Sequence, residues 1–208
     1  RGYQNACKRI DRAIPNGQVI RNPVNITSLN IEPFPTSATA QLAMVGLLRI
    51  VHKGQDIALK ALAGDAWKSR DWQLNIYGSG EDEALLRQLV HDLNLQNRVS
   101  FHGRVQDIRQ LWAGNQLLLM PSLMEGMPLA VVEAMICGRP AVVSDVGGHT
   151  EWIKAGVHGW IARSPADFAN ALEKAWMQRA QWKEMGLQAH RRAIQLCDPA
   201  PGKTLLML

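Results

Sequence analysis

Two glutamates, Glu125 and Glu133, are the residues of this sequence best placed to do chemistry on a ligand. They lie eight positions apart, in a stretch that leaves the apolar run Leu117-Leu118-Leu119-Met120 and enters a helical pattern. Gly126 permits a close backbone approach, and Pro128 suits the first helical position, where a missing N–H is harmless. The free amides of that first turn, together with the helix dipole, favour a phosphate group. The stretch therefore predicts a phosphate site that is flanked by carboxylates.

Glu133 is set in a helical segment whose other side chains are nearly all apolar. Burying a carboxylate without a partner is costly, so this position indicates a hydrogen-bonded role. A carboxylate that accepts hydrogen bonds from two ribose hydroxyls is a known device of nucleotide-binding sheets. A glutamate near a helix start is also often only a partner of the helix dipole, and one within a helix is often solvated. The two glutamates alone leave that alternative open.

The elements that must position these residues alternate along the chain, short apolar runs with longer amphipathic ones. This order predicts an α/β fold of right-handed βαβ units, a Rossmann-like doubly wound parallel sheet of about six strands. In such a sheet the ligand lies beyond the carboxyl ends of the strands. We expect strands at residues 42–48, 73–77, 99–101, 116–120, 141–144 and 160–162. We expect helices at residues 55–63, 83–93, 107–113, 128–137, 151–155, 166–179 and 182–196.

The chain divides into three predicted parts. Residues 1–40 are rich in Pro, Asn, Ser and Thr, which is typical of an interdomain linker and a lead-in to the first strand. Residues 41–180 form the predicted nucleotide-binding domain. Residues 181–208 form a last helix and a short apolar tail, separated by a Pro-rich break at 198–202. Because the sequence opens on Arg1 rather than Met, we expect it to be a piece of a longer protein.

Composition narrows the class of partner. The chain has 208 residues, 47% of them hydrophobic, which is enough for a packed core, and a net charge of +5 that favours anionic partners. Charge alone does not choose among nucleotide phosphates, acidic lipid surfaces and nucleic acid. The basic residues are dispersed and no aromatic-basic stripe occurs, so we expect no nucleic-acid binding.

The sequence carries no pattern typical of a targeting segment or a metal site. No apolar run of about 18 residues and no signal peptide is visible. The three cysteines, Cys7, Cys137 and Cys197, lack metal-site spacing. We therefore expect buried or idle thiols in a reducing cytosol and no metal site.

A set of ordered motifs resembles one enzyme family. The similarity runs from about residue 22 to residue 180 and is strongest at the two glutamates, where the sequence resembles the E-x7-E signature of retaining glycosyltransferases of family 4, which have the GT-B fold. That motif reads Ser122-x-x-Glu125-Gly126-x-Pro128-Leu129-x-x-x-Glu133-Ala134-Met135-x-x-Gly138-x-Pro140-x-Val142. Further segments resemble the family in the same order: Lys53-Gly54-Gln55-Asp56, Ile76-Tyr77-Gly78-Ser79-Gly80, Val99-x-Phe101-x-Gly103-x-Val105-x-Asp107-Ile108, Asp145-Val146-Gly147-Gly148-x-x-Glu151 and Gly156-x-x-Gly159.

The resemblance implies the C-terminal, donor-binding half of such an enzyme. It implies transfer of a sugar from a UDP- or GDP-sugar donor to a glycan, lipid-linked or small-molecule acceptor. No cofactor and no metal are expected beyond the nucleotide-sugar co-substrate. Acceptor contacts would come from an N-terminal domain that is absent here, so the chain alone is expected to be inactive. The expected location is cytoplasmic, and the basic surface allows peripheral contact with the inner face of the membrane. The alternative is a nucleotide-binding module without transferase activity.

The family's functional residues can be carried over by motif. Glu125 would be the catalytic residue that contacts the transferred sugar, and Glu133 would bind the donor ribose. Lys53 would neutralise the diphosphate while charge builds on the leaving UDP or GDP. Main chain at the base-binding region, the glycine turn and the helix start would supply the remaining donor contacts, at Gly78, Arg104, Val105, Gly126, Met127, Pro128 and Leu129.

One position departs from the family pattern. The family usually has an arginine shortly before the Lys-Gly pair, often directly after the glycine that closes the first strand. This chain has Leu47 at that position, and Arg49 follows two places later. A two-residue shift keeps a side chain on the same face of a strand, so Arg49 is the candidate for the diphosphate contact. A surface arginine at a strand end is the alternative.

The histidines and tryptophans are not among the predicted site residues. His52, His102, His149 and His158 lie near turns, where histidines are usually solvent-facing, and none is assigned a catalytic role. The seven tryptophans lie mostly on amphipathic helices or strand ends, so we expect them in the core.

Overall fold

A computed structural model describes residues 22–206, apart from residues 27 and 199, and its centre is one six-stranded sheet. Every neighbouring pair is parallel, and the strand order is β3-β2-β1-β4-β5-β6. The predicted doubly wound sheet of six strands is thereby confirmed. The strands are β1 (Ala40–Val45), β2 (Trp72–Tyr77), β3 (Val99–Gly103), β4 (Leu117–Met120), β5 (Ala141–Ser144) and β6 (Gly159–Ala162).

Helices connect the strands and cover both faces of the sheet. Short 3₁₀ turns at Pro165–Asp167 and Arg179–Gln181 precede the eighth and ninth helices. Within the described residues the helices are α1 (Ile50–Lys53), α2 (Gln55–Leu62), α3 (Asp65–Lys68), α4 (Glu83–Asp92), α5 (Ile108–Ala113), α6 (Leu129–Ile136), α7 (His149–Trp152), α8 (Phe168–Met177), α9 (Trp182–Leu196) and α10 (Pro201–Leu206). No helix in that part of the chain is both long and apolar enough to cross a membrane.

The core has two layers because successive side chains of a strand point to opposite faces. In β1, Leu42 and Met44 join the layer that packs under α2 and α8, while Ala43 joins the layer under α5, α6 and α9. The central strands β4 and β5 are buried on both faces, as parallel strands between helical layers should be. All seven tryptophans are buried, which confirms their prediction as core residues.

The start of the domain differs from the prediction. The first strand ends at Val45 instead of continuing to residue 48, and Ile50–Lys53 forms a helix that the sequence pattern did not predict. The main-chain N–H of Ile50 donates to the Asp82 carboxylate at 2.7 Å. The partner that stabilises the start of α1 thus comes from a distant loop, where a local pattern could not show it.

Other boundaries moved as well. The helix predicted at 151–155 is α7, which begins at His149 and ends at Trp152, because Ile153 is already extended. The short helix α3 was not predicted. Helix α10 begins at Pro201, within the Pro-rich break where no helix was predicted, and its Leu205 and Leu206 are exposed.

The lead-in to β1 is held against the domain by two arginines. Arg139 is fully buried, and its guanidinium donates to the carbonyls of Glu32 at 3.1 Å and Pro33 at 2.7 Å. Arg109 donates to the carbonyls of Ser28 and Asn30, both at 2.9 Å. Most of the described part of the predicted linker is thus docked. Residues 1–21, with Cys7, lie outside the described residues.

Candidate functional site

The candidate site lies at the edge of the sheet where the parallel strands end. Gly46 follows β1 and donates its N–H to the carbonyl of Tyr77 at 3.0 Å, and Gly78 follows β2 and donates to the carbonyl of Gly103 at 2.7 Å. Neighbouring loops are therefore tied to one another across this edge. This is the place at which doubly wound sheets bind their ligands.

A glycine is required at position 78 because the backbone there passes very close to that of Gly46. Its φ of +128° lies in a region that other residues rarely adopt, and a Cβ there would be 1.9 Å from the carbonyl oxygen of Gly46. The glycine thus allows the loops after β1 and β2 to touch. Gly78 shapes the edge through its backbone.

Glu125 lies between β4 and α6, and its carboxylate is paired with a lysine from another loop. Lys53, the last residue of α1, forms an ion pair with Oε1 of Glu125, and Ser122 Oγ donates to the same oxygen at 2.9 Å. The Glu125 side chain is only 6% exposed and that of Lys53 is 23% exposed. The structure therefore brings together two predicted site residues that are 72 positions apart.

The loop around Glu125 is also tied to α1 through main chain. The N–H groups of Leu123 and Met124 donate to the carbonyl of His52, at 2.8 and 3.1 Å. These bonds fix the β4–α6 loop beside Lys53. Main-chain hydrogen bonds thus hold together the two segments that carry the ion pair.

Glu133 lies one helical turn beyond Leu129 in α6 and is 6% exposed. Burial raises the pKa of Glu133 from 4.5 to about 7, while a hydrogen bond from the main chain of Asn25 acts in the opposite direction. The buried carboxylate that the sequence predicts is found. Burial outweighs this one hydrogen bond and disfavours the ionised form, so the position suits a ligand that brings further hydroxyl donors.

The start of α6 differs slightly from the prediction. Pro128 precedes the helix, which begins at Leu129, and the Leu129 N–H already donates to the carbonyl of Met127 at 3.0 Å. The main-chain N–H groups of Gly126 and Met127 take part in no hydrogen bond among the described residues. These two amides, rather than that of Leu129, remain for an anion.

The two predicted arginines turn toward the loop between β2 and α4. Nε of Arg49 lies 2.8 Å from a carboxylate oxygen of Glu81, an ion pair without the alignment of a hydrogen bond. Arg104 Nε donates to Ser79 Oγ at 2.8 Å. Arg49 does not share a strand face with residue 47, contrary to the prediction, because β1 ends at Val45 and Arg49 caps α1.

A groove lies next to the predicted base-binding main chain. It has a volume of about 600 Å³ and runs between the lead-in and the start of α5. Val105 itself is half-buried and packs against the core layer under α6. Gln106 and Asn25 line the groove, so it adjoins both Val105 and the residue that bonds Glu133.

Three polar residues near Glu125 were not predicted as site residues. Ser122, Ser144 and His149 are all buried. Ser122 was visible as part of the motif, three residues before Glu125. His149 and His158 are buried, so the expectation of solvent-facing histidines was wrong for both.

No group of three or more His, Cys, Asp or Glu side chains that could hold a metal ion occurs among the described residues.

Comparison with known proteins supplies independent observations. Residues 39–178 match the family model described as glycosyl transferases group 1. The chain is 37% identical over 113 residues to an uncharacterized glycosyltransferase of Haemophilus influenzae, covering 52% of this chain and 32% of that protein. It is 31% identical over 163 residues to the lipopolysaccharide 1,6-galactosyltransferase of Salmonella typhimurium, covering 75% of this chain and 45% of that protein. The chain thus spans less than half the length of these relatives.

A solved structure agrees with the fold. The structure of HepE from Anabaena in complex with UDP-glucose superposes with a TM-score of 0.72 at 28% identity, over 82% of this chain and 50% of that one. The predicted fold class, a Rossmann-like sheet as in the C-terminal half of a GT-B fold, is confirmed.

Proposed function

Because the chain belongs to the family of glycosyl transferases group 1, we propose that it is the donor-binding half of a retaining, family 4 glycosyltransferase. The observation that carries this proposal is the pair of carboxylates around the start of α6. Glu125 is paired with Lys53, and Glu133 is buried with a raised pKa. A nucleotide-sugar has the complementary groups, which are hydroxyls for the carboxylates and a diphosphate for the lysine and the amides.

The donor can be laid onto the site group by group. The ribose hydroxyls donate to Glu133, whose ionised form they stabilise. The diphosphate lies against the amides of Gly126 and Met127, at the positive end of the dipole of α6. Lys53 reaches the diphosphate from the other side.

Glu125 is the residue that we assign to the transferred sugar. Both of its described side-chain contacts, from Lys53 and Ser122, go to Oε1. Oε2 is therefore the oxygen that we assign to a sugar hydroxyl. Because it touches the sugar that is transferred, we propose Glu125 as the catalytic residue.

Departure of the nucleotide places negative charge on the diphosphate. Lys53 and the two amides stabilise that charge as it develops, which lowers the barrier to transfer. They supply positive charge without a metal ion, and we propose that none is needed. In this structure the Lys53 ammonium is paired with Glu125. We propose that it moves toward the phosphates when the donor binds.

The donor base is proposed to lie near Arg104 and Val105, at the groove that begins beside them. UDP is favoured over GDP, because HepE was solved with UDP-glucose and is 28% identical to this chain. Arg49 remains a proposed diphosphate contact, which would require it to leave Glu81. Gly78 and Pro128 shape the loops that face the donor.

The acceptor is proposed to bind to an N-terminal domain that these residues do not include. A relative that acts as a lipopolysaccharide galactosyltransferase supports a glycan or lipid-linked acceptor. Closure of two domains would exclude water from the transfer step, so we expect no turnover by this chain alone. We propose a cytoplasmic enzyme whose basic surface makes peripheral contact with an anionic membrane face.

Calorimetric titration of the chain with UDP, GDP and ADP tests this proposal. We expect UDP to bind, and Glu133→Ala to weaken that binding by about 1.5–3 kcal/mol, since hydrogen bonds to a charged group are lost. Glu184→Ala, an exposed change on α9, is the matched control and should bind UDP like the unaltered chain. Failure of all three nucleotides to bind the unaltered chain would overturn the proposal.

A further inference from the structure

Glu125 precedes the helix, and its carboxylate is held by two side chains. Lys53 supplies charge, but a lysine side chain is flexible and is also assigned to the diphosphate. The second contact is Ser122 Oγ, which donates to the carboxylate at 2.9 Å. Ser122 is fully buried, so its own position is fixed by its neighbours.

The neighbours of Ser122 form a chain of polar contacts that leads away from the site. Ser144 Oγ, at the end of β5, donates to the carbonyl of Ser122. The carbonyl of Ser144 in turn accepts from Nδ1 of His149 at 2.7 Å. These contacts therefore connect His149, at the start of α7, to Glu125 by way of the last residue of β5 and a residue that follows β4.

The tautomer of His149 follows from this contact. A carbonyl oxygen can only accept, so Nδ1 carries the proton and Nε2 is a bare acceptor. Nε2 is buried and has no hydrogen-bond partner among the described residues. An apolar side chain would fill this space without leaving a polar atom unpaired. The hydrogen bond from Nδ1–H to the Ser144 carbonyl therefore explains why a histidine occupies this position.

The loop before His149 also touches Glu125 directly. Gly147, with a φ of +55°, lies so close that a Cβ there would be 2.1 Å from the Glu125 carbonyl oxygen. The next residue, Gly148, donates its N–H to the carbonyl of Gly126 at 3.2 Å. His149 anchors the residue that follows this loop to the end of β5, beside Glu125.

We propose that His149, Ser144 and Ser122 are positioning residues that hold the Glu125 carboxylate for the sugar of the donor. This inference rests on the proposed function. It adds a specific expectation, that these residues affect recognition of the sugar and leave recognition of the nucleotide unchanged.

Substitutions of His149 separate its two nitrogens. In Asn the amide nitrogen is as many bonds from Cα as Nδ1 is, whereas in Gln it is one bond farther, as Nε2 is. His149→Asn therefore keeps the donor to Ser144, while His149→Gln and His149→Leu remove it. His91→Leu, the same change at an exposed histidine of α4, is the matched control.

The measurement is the ratio of the dissociation constants for UDP-glucose and UDP, by calorimetry, with thermal unfolding recorded for each variant. We expect His149→Gln, His149→Leu and Ser122→Ala to raise this ratio about five- to tenfold, the effect of one lost hydrogen bond, while UDP affinity changes by less than about twofold. Ser144→Ala keeps its carbonyl and should raise the ratio by less. His149→Asn and His91→Leu should keep the original ratio.

Measuring the same ratio of dissociation constants over a range of pH adds a second test, because a purely structural role of His149 would not make the ratio depend on pH. Burial lowers the pKa of His149, with Glu125 and Asp145 favouring protonation and Lys53 opposing it. A protonated ring would place a cationic N–H where no acceptor faces it. Because this pKa lies below 6.5, the ring is neutral at pH 7, and we expect the ratio to rise only at more acidic pH in the unaltered chain and to stay level in His149→Asn.

The outcomes distinguish this inference from the proposed function. If His149→Leu changes the two constants by the same factor, or changes neither, the inference is overturned. If the unaltered chain does not bind UDP, or if Glu125→Gln leaves the ratio unchanged, the proposed function fails instead. Should His149→Leu not fold, His149→Gln takes its place, with His149→Asn as its reference. Equal ratios of the two dissociation constants in these two variants would overturn the inference.

Discussion

Glu133→Gln should make the protein more stable and a poorer nucleotide binder. Glu133 is 6% exposed, and burial raises its pKa from 4.5 to about 7. Below pH 4.5 both the folded and the unfolded chain carry the proton, so the residue has no effect on stability. Between pH 4.5 and about 7 the folded chain keeps a proton that the unfolded chain has lost, so the free energy of unfolding decreases as the pH rises. Above pH 7 the full penalty applies.

The magnitude follows from the size of this shift. A rise of the pKa from 4.5 to about 7 corresponds to about 3 kcal/mol of lost stability. Glutamine has nearly the same shape and never ionises, but burying its amide hydrogens costs about 1 kcal/mol. We therefore expect Glu133→Gln to be more stable by about 2 kcal/mol at pH 8, or about 4–8 °C in melting temperature.

The assay is thermal and urea unfolding by circular dichroism at pH 5 and pH 8, with UDP titrations of the same samples. The gain in stability should be present at pH 8 and small or absent at pH 5, while UDP binding weakens because a neutral amide accepts more weakly than a carboxylate. Glu184→Gln on α9 should change neither quantity. The reasoning is refuted if Glu133→Gln melts like the unaltered chain at both pH values, or if it binds UDP equally well.

Two further substitutions test the edge of the sheet. Lys53→Met leaves the Glu125 carboxylate, 6% exposed, without its counter-ion, so we expect about 2–3 kcal/mol lower stability in urea unfolding and weaker UDP binding. Unchanged stability would show that the ion pair contributes nothing to the fold. Gly78→Ala puts a Cβ 1.9 Å from the Gly46 carbonyl oxygen and should lower stability by more than about 2 kcal/mol, whereas Gly126→Ala, with nothing within 4 Å of its Cβ, should melt normally. Equal melting temperatures for these two variants would contradict the close packing of the loops.

Much of the fold could be predicted because its signals are local. The continuous apolar runs of β4 and β5 indicate central parallel strands, and these strands are buried on both faces. Because Glu125 and Glu133 are eight residues apart around the start of α6, one precedes the helix and the other lies within it, and this placement depends on local sequence only. The burial of Glu133 followed from its apolar neighbours in the helix.

The parts that the sequence did not predict depend on contacts between distant residues. Helix α1 begins where Asp82 accepts from the N–H of Ile50, 32 positions away, and this helix moves Arg49 off the strand. Lys53 and Glu125 were predicted as separate contacts of the donor, and their ion pair joins positions that are 72 apart. The burial of His149 depends on how α7 packs beside β5, for which a histidine after two glycines gives no signal.

The structure of the chain with bound UDP would test the central claim most directly. The account predicts ribose hydroxyls within hydrogen-bond distance of the Glu133 carboxylate, with the diphosphate against the amides of Gly126 and Met127 and near Lys53. UDP bound elsewhere on the chain, or bound at this edge with its ribose away from Glu133, would contradict it.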